Sequence, residues 1–285
     1  MGRKDATEVK NIDSLHKMMA HLMKNRCDAE VYSIERIDIT KLMKYLDKIN
    51  KNKEYKTTLF HAVIAAMAKT IHNRPLLNRF IAGRKFYDRN VISFGFVAKN
   101  KFEDNAEERL IILKTKYDMN LEDVSNTIWN EVTKTRKSDT NDMNDTLGLI
   151  TKFPRCIVSL IMTAFRIMDF YGIVPKSISD TDTNYTTVML SNLGSIKADC
   201  CYHHLNNYGT NSIIATIGVI KEVKEKASNG KETTKKYVDI AFTIDERIAD
   251  GFYFAKSIKL FKHILENPSL LEEELHTKIE INEKK

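Results

Sequence analysis

Residues 240–251 read Ile-Ala-Phe-Thr-Ile-Asp-Glu-Arg-Ile-Ala-Asp-Gly, an alternating apolar run that ends in a charged turn, and the amphipathic stretch Phe252–Leu265 follows directly. Alternation with a period of two specifies a strand and a period of 3.6 a helix, so the chain must pass from sheet to helix across this turn. Glu246 and Asp250 are the carboxylates delivered to that sheet edge, with Arg247 between them. Gly251 is expected to let the backbone turn sharply before the helix. Taken alone, these charges read as an ion pair on an ordinary connection.

The rest of the chain supplies more strands and helices without a regular βαβ rhythm. Leu15, Met18, Met19, Leu22 and Met23 fall at helical spacing, which predicts a helix over 13–25 with this stripe in the core. Val31–Ile39 reads as a strand, and Thr40 opens a helix carrying Leu42, Met43, Leu46 and Ile49. Thr57-Thr58 starts an apolar helix whose alanines admit a close neighbour, and Arg74-Pro75 stops it. Short strands follow at 91–98 and 109–114, then a helix over Leu121–Lys137 and a loop-like stretch at 138–146. Arg155–Tyr171 is apolar nearly all round, which implies burial on several sides or an oligomer contact ahead of a membrane surface. Thr186–Ser191, Ser212–Val219 and Tyr237–Thr243 are strands, and Asn229-Gly230 predicts a type I′ hairpin turn. In the closing helix, Ala255, Ile258, Phe261 and Leu265 are expected inward. The pattern favours a mixed α/β fold of two layers, with a mixed sheet covered by helices.

Composition bounds the function classes. A chain of 285 residues with 42% hydrophobic and 29% charged residues is ordinary for a globular protein, read here as one domain over 1–285 with mobile tails at about 1–12 and 272–285. The net charge of +7 comes from lysines interleaved with acids, which describes a solvated surface and not a nucleic-acid groove. The longest apolar segment, Cys156–Phe165, is too short to span a bilayer. Cys27, Cys156, Cys200 and Cys201 form no Cys-x-x-Cys pair, so reduced thiols in a cytoplasmic protein are expected.

Four segments together resemble the catalytic domain of the acyltransferase components of 2-oxo acid dehydrogenase complexes, the dihydrolipoamide acyltransferase family, which shares its fold with chloramphenicol acetyltransferase. They are Ile37-Asp38-Ile39-Thr40 with Leu42-Met43, Phe60–Phe80 ending in Arg74-Pro75-Leu76-Leu77-Asn78, Ser191-Asn192-Leu193-Gly194, and Asp245-Glu246-Arg247-Ile248-Ala249-Asp250-Gly251. The last resembles the family's Asp-His-Arg-x-x-Asp-Gly signature, with Glu246 where the family has histidine. The resemblance implies a chloramphenicol acetyltransferase-like sandwich in a homotrimer. Each active site would lie at a subunit interface, so Ser191 would meet Glu246 and Asp250 of a neighbouring subunit. It implies coenzyme A or acyl-CoA as substrate, with Ser191, Asn192 and Arg247 as candidate binding residues. Neither lipoyl nor subunit-binding segments are present, so any lipoylated carrier would be a separate protein.

In that family the histidine deprotonates the attacking thiol or hydroxyl, the serine stabilises the oxyanion, and the aspartate fixes the geometry. An imidazole suits the first task because such groups titrate near 6.5, about 2 units below a thiol. A carboxylate at about 4.3 would have to take a thiol proton uphill by roughly 5–6 kcal/mol. Three readings of Glu246 therefore stand: a tuned base, an acid or base for a different acceptor, or a structural residue in a binding protein that has lost the chemistry. His203 and His204, just past Cys200-Cys201-Tyr202, are candidate substitute bases, although core or interface histidines are the commoner case. If that stretch is extended, the two rings face opposite ways and only one could reach a given site. Diverging neighbours also argue against a metal centre there.

Overall fold

The computed structural model describes residues 3–99, 108–137, 148–226 and 232–281. A six-stranded mixed sheet runs in the order β2-β9-β8-β7-β5-β6, built from β2 (Glu30–Asp38), β5 (Ile92–Lys99), β6 (Glu108–Thr115), β7 (Val188–Asn192), β8 (Ile213–Lys226) and β9 (Glu232–Asp245). β7 is parallel to both β5 and β8, and every other pairing is antiparallel. A small second sheet joins β1 (Ala6–Glu8), β4 (Lys85–Arg89) and β3 (Arg79–Ala82).

Four helices cover one face of the large sheet: α2 (Thr40–Ile49), α3 (Leu59–Asn73), α4 (Leu121–Lys137) and the C-terminal α6 (Gly251–Glu266). Ile37, Leu190, Ile217, Ile240 and Phe94 point into that layer, in one cluster with Ala62, Ala65 and Ala68 of α3. The alanines are fully buried, which is how α3 comes close enough to be enclosed on all sides. At the N-terminus of α3, Thr58 and His61 form a reciprocal cap. Burial lowers the pKa of His61 to about 4, and Ser125 of α4 lies 3.0 Å from its Nδ1.

Three expectations need correction. The first helix, α1 (Ser14–Leu22), forms, but Leu15, Met18 and Leu22 are 55–73% exposed and only Ala20 is buried. The small cluster of Ile81 and Phe86 receives Ala20 and not the stripe, which faces outward within one chain. Second, α5 (Arg155–Tyr171) has no buried residue, which corrects the expectation of burial on several sides within the chain and does not bear on the oligomer contact. Val158, Ile161, Phe165 and Met168 are half-buried, whereas Ile157, Leu160, Ile167 and Tyr171 are exposed on the far side. Its tethers are polar and aromatic: Asp169 accepts from the Tyr185 hydroxyl at 2.8 Å and from the Gly209 amide at 2.9 Å, and Phe165 meets Tyr208 edge to face. Third, described parts of the expected tails are tied to the body. Ala6–Glu8 pairs with β4, and the amides of Leu275 and His276 donate to the carbonyls of Met119 and Tyr117. The loop at 138–146 and the Asn229-Gly230 turn lie outside the described residues, although Lys226 and Glu232 pair at the hairpin arms. No helix among the described residues is long and apolar enough to cross a membrane.

Candidate active site

β9 ends at Asp245, and a single 3-10 turn, Glu246–Ile248, leads to the cap of α6. Two of the charges here serve the backbone. Arg247 is 2% exposed and grips Asp245 in a fork, Nε to Oδ1 at 2.8 Å and Nη2 to Oδ2 at 2.6 Å. Its third nitrogen donates to the Met23 carbonyl at 2.7 Å, which fastens the end of α1 to the turn. Such a buried bidentate pair must stay together, since removing one partner strands a charge in the interior. Arg247 is thus enclosed, away from the binding role considered for it. Asp250 caps α6, its Oδ1 accepting from the Tyr253 amide at 2.7 Å. Gly251 is not among the positive-φ residues, so the cap makes the sharp turn and the glycine begins the helix.

Glu246 is left over. Among the described residues its half-buried carboxylate has no hydrogen-bond or ion-pair partner, and it opens onto a groove of about 940 Å³ between α1, β2 and α6. Asp250 lines the same groove, with Leu15 and His16 of α1, Glu35 of β2 and Ile258 of α6. Lys262 pairs with Glu35 at 3.0 Å. Ala255, expected inward, is exposed and faces this space, while Phe254, Ser257 and Leu260 take the core positions. His16 was not singled out by its sequence context. The Asp-x-x-His spacing from Asp13 at a helix start is the signal that points to it, because a capping carboxylate reaches the third residue.

Ser191 lies elsewhere. It is opposite Thr216 on β8, which is opposite Ala241 on β9. From Ala241 to Glu246 the strand covers about 17 Å, and two strand spacings add about 10 Å across the sheet. Ser191 also faces away from the helices, because its neighbours Val188 and Leu190 point into the helical core. One chain therefore brings Glu246, Asp250 and His16 together but holds Ser191 and Asn192 at the far end of β7. The Ser-Asn-Leu-Gly turn crosses β8 at its bulge near Gly218. A Cβ on Gly194 would stand 2.5 Å from the Gly218 carbonyl oxygen.

His203 and His204 sit on a segment without regular structure, not on a strand, and their rings stack at 5.1 Å on the same side. Each Nδ1 turns to backbone, His203 to the His204 carbonyl and His204 to the Leu205 carbonyl. Tyr202 and Leu205 of this segment touch Tyr32 and Glu30, whereas Val31, Ser33 and Glu35 line the groove from the other face of β2. Alternation along β2 thus separates the two histidines from Glu246 within one chain. Among the described residues no three His, Cys, Asp or Glu side chains converge as metal ligands would.

The profile of the family described as 2-oxoacid dehydrogenases acyltransferase (catalytic domain) matches residues 4–101 and 175–272, which include both the Ser191 and the Glu246 turns. The chain belongs to this acyltransferase family. No curated protein matches the sequence directly. Among solved structures, the acyltransferase-family fold is shared with a probable dihydrolipoamide acetyltransferase from Listeria monocytogenes at 16% identity and TM-score 0.59, covering 91% of this chain and 94% of that one. The cubic core of a pyruvate dehydrogenase complex is similar at 14% identity and TM-score 0.59, covering 93% and 94%. A chloramphenicol acetyltransferase is similar at 11% identity and TM-score 0.57, covering 91% and 99%. The family match is interrupted over residues 102–174, and the outward-facing α5 lies in that interval.

Proposed function

We propose that this acyltransferase-family domain transfers an acyl group between a coenzyme A thioester and a thiol, hydroxyl or amine acceptor, in a cytoplasmic homotrimer whose sites are shared between subunits. The observation that carries this reading is the open groove at the Glu246 turn, in a chain whose family match includes both active-site turns. Glu246 and Asp250 recur at the spacing of the histidine and asparagine studied for catalysis in the Azotobacter vinelandii dihydrolipoamide acetyltransferase, and Ser191 would correspond to the serine studied with them. Ser191 of one subunit would donate to the oxyanion of the tetrahedral intermediate while the groove of its neighbour holds the acceptor. Asn192 would line the coenzyme A side. A lipoyl group, if it is the acceptor, would arrive on a separate carrier.

A second reading is an acyl-CoA-binding scaffold, favoured by one feature: a carboxylate stands where the family's base would be. Release of free coenzyme A thiol from acyl-CoA thioesters by the purified protein separates the two. Turnover that falls about 100-fold or more in Ser191→Ala, as loss of an oxyanion donor should cause, supports the transferase. Binding of coenzyme A with no turnover by wild type would establish the scaffold.

A further inference from the structure

His16 stands on the first turn of α1 and lines the groove with Glu246 and Asp250. Its Nδ1 lies 2.6 Å from Oδ2 of Asp13, and its backbone N–H donates to Oδ1 of the same carboxylate at 3.1 Å. A carboxylate only accepts, so the ring nitrogen is the donor, and in a neutral imidazole the lone pair is then on Nε2. One side chain thus caps the helix and sets both the tautomer and the orientation of the ring. The other end of α1 is fixed too, since the Met23 carbonyl receives Arg247 from the turn that carries Glu246.

We propose that His16, oriented by Asp13, is the general base of this groove. The proposal rests on the acyl-transfer reading above and supplies the proton acceptor that a carboxylate fills poorly. The acceptor's S–H or O–H proton passes to Nε2 as its sulfur or oxygen attacks the thioester carbonyl. The tetrahedral oxyanion then collapses, the bond from carbonyl carbon to coenzyme A sulfur breaks, and the leaving thiolate takes the proton back from Nε2. Atoms and charge balance with no further reactant.

The charged groups around His16 come from every wall of the groove: Asp13 from its own helix cap, Glu246 and Asp250 from the turn, Glu35 from β2, and Lys259, Lys262, His263 and Glu266 from α6. Lys262 is engaged by Glu35. The Asp13 carboxylate, in contact with the ring, stabilises the imidazolium that forms when the proton is taken. His16 is a partly exposed side chain, so its replacement leaves the core intact.

The test is the pH profile of thioester turnover in wild type, His16→Gln, Asp13→Asn, Glu246→Gln and Ser191→Ala, with thermal unfolding of each as a folding control. His16→Gln should lower kcat about 100-fold or more with little change in KM, as loss of a general base does, and should abolish the inflection that the base gives the profile. Asp13→Asn keeps the helix cap, so it should fold normally, lower kcat less, and move the inflection to lower pH. Glu246→Gln should keep the inflection. Loss of turnover in Ser191→Ala alone, with His16→Gln following the wild-type profile, overturns the role of His16 and leaves acyl transfer standing. An inflection that disappears in Glu246→Gln but persists in His16→Gln gives the base to Glu246. Absence of turnover in wild type removes both readings together.

Discussion

Within the Asp-Glu-Arg-Ile-Ala-Asp-Gly turn, Asp245 and Arg247 hold each other and α1, Asp250 caps α6, and only Glu246 is unengaged among the described residues. That division of labour leaves the Glu246 side chain with no part in holding the turn. A different residue, His61, carries the clearest pH signature for folding. Burial holds its pKa at about 4, below the ordinary 6.5. Between those values the unfolded chain binds the proton and the folded chain does not, so stability falls as pH drops from about 6.5 to about 4. The loss is roughly 3 kcal/mol by the size of the shift. His61→Gln should therefore flatten part of the decline in unfolding midpoint between pH 7 and pH 4. A decline as steep as wild type would show that the histidine is not held neutral.

At the level of elements, the Ser-Asn-Leu-Gly turn over β8 owes its form to close backbone approach. A Cβ at Gly194 would meet backbone atoms of Gly218 and not a movable side chain, so Gly194→Ala should cost about 1–3 kcal/mol of stability in denaturant unfolding, the usual range for overpacking. Gly251 is the internal contrast: no atom lies within 4 Å of a Cβ built there, so Gly251→Ala should unfold at or slightly above the wild-type midpoint. An unchanged midpoint in Gly194→Ala would mean that the crossing relaxes freely. The helices divide in the same way. α3 is enclosed because its alanines admit neighbours, whereas α1 and α5 keep apolar residues on outward faces.

For the molecule as a whole, Ser191 and the His16–Glu246 groove lie at opposite ends and on opposite faces of one sheet. A centre that needs both must join two chains, which gives the proposed trimer a catalytic consequence. Ser191→Ala and His16→Gln proteins, each inactive alone, should recover activity when unfolded together and reassembled. In a ring where each site draws one group from each of two neighbours, equal random mixing leaves about a quarter of the sites intact. No recovery in mixtures shown by mass to contain both variants would mean that each site is built within a single chain.

The local pattern in the sequence carried much of the fold. The helix over 121–137 and that over 155–171 fall at the expected residues, and the mixed sheet follows from strands unevenly spaced among helices. Period and capping are properties of neighbouring residues, so they are legible in order along the chain. The Ser191 and Glu246 turns were legible for a related reason, since the close approach at Gly194 and the Asp250 cap each demand a particular residue in sequence. Which stripes would be covered was not legible, because burial depends on what another element brings: Met18 and Leu160 have the periodicity of core residues and remain exposed. The placement of His16 also needed the tertiary structure. Its partner Asp13 is three residues away, but the groove that His16 lines with Glu246 is built from α1, β2 and α6, and Arg247, far along the chain, helps hold α1 there through the Met23 carbonyl.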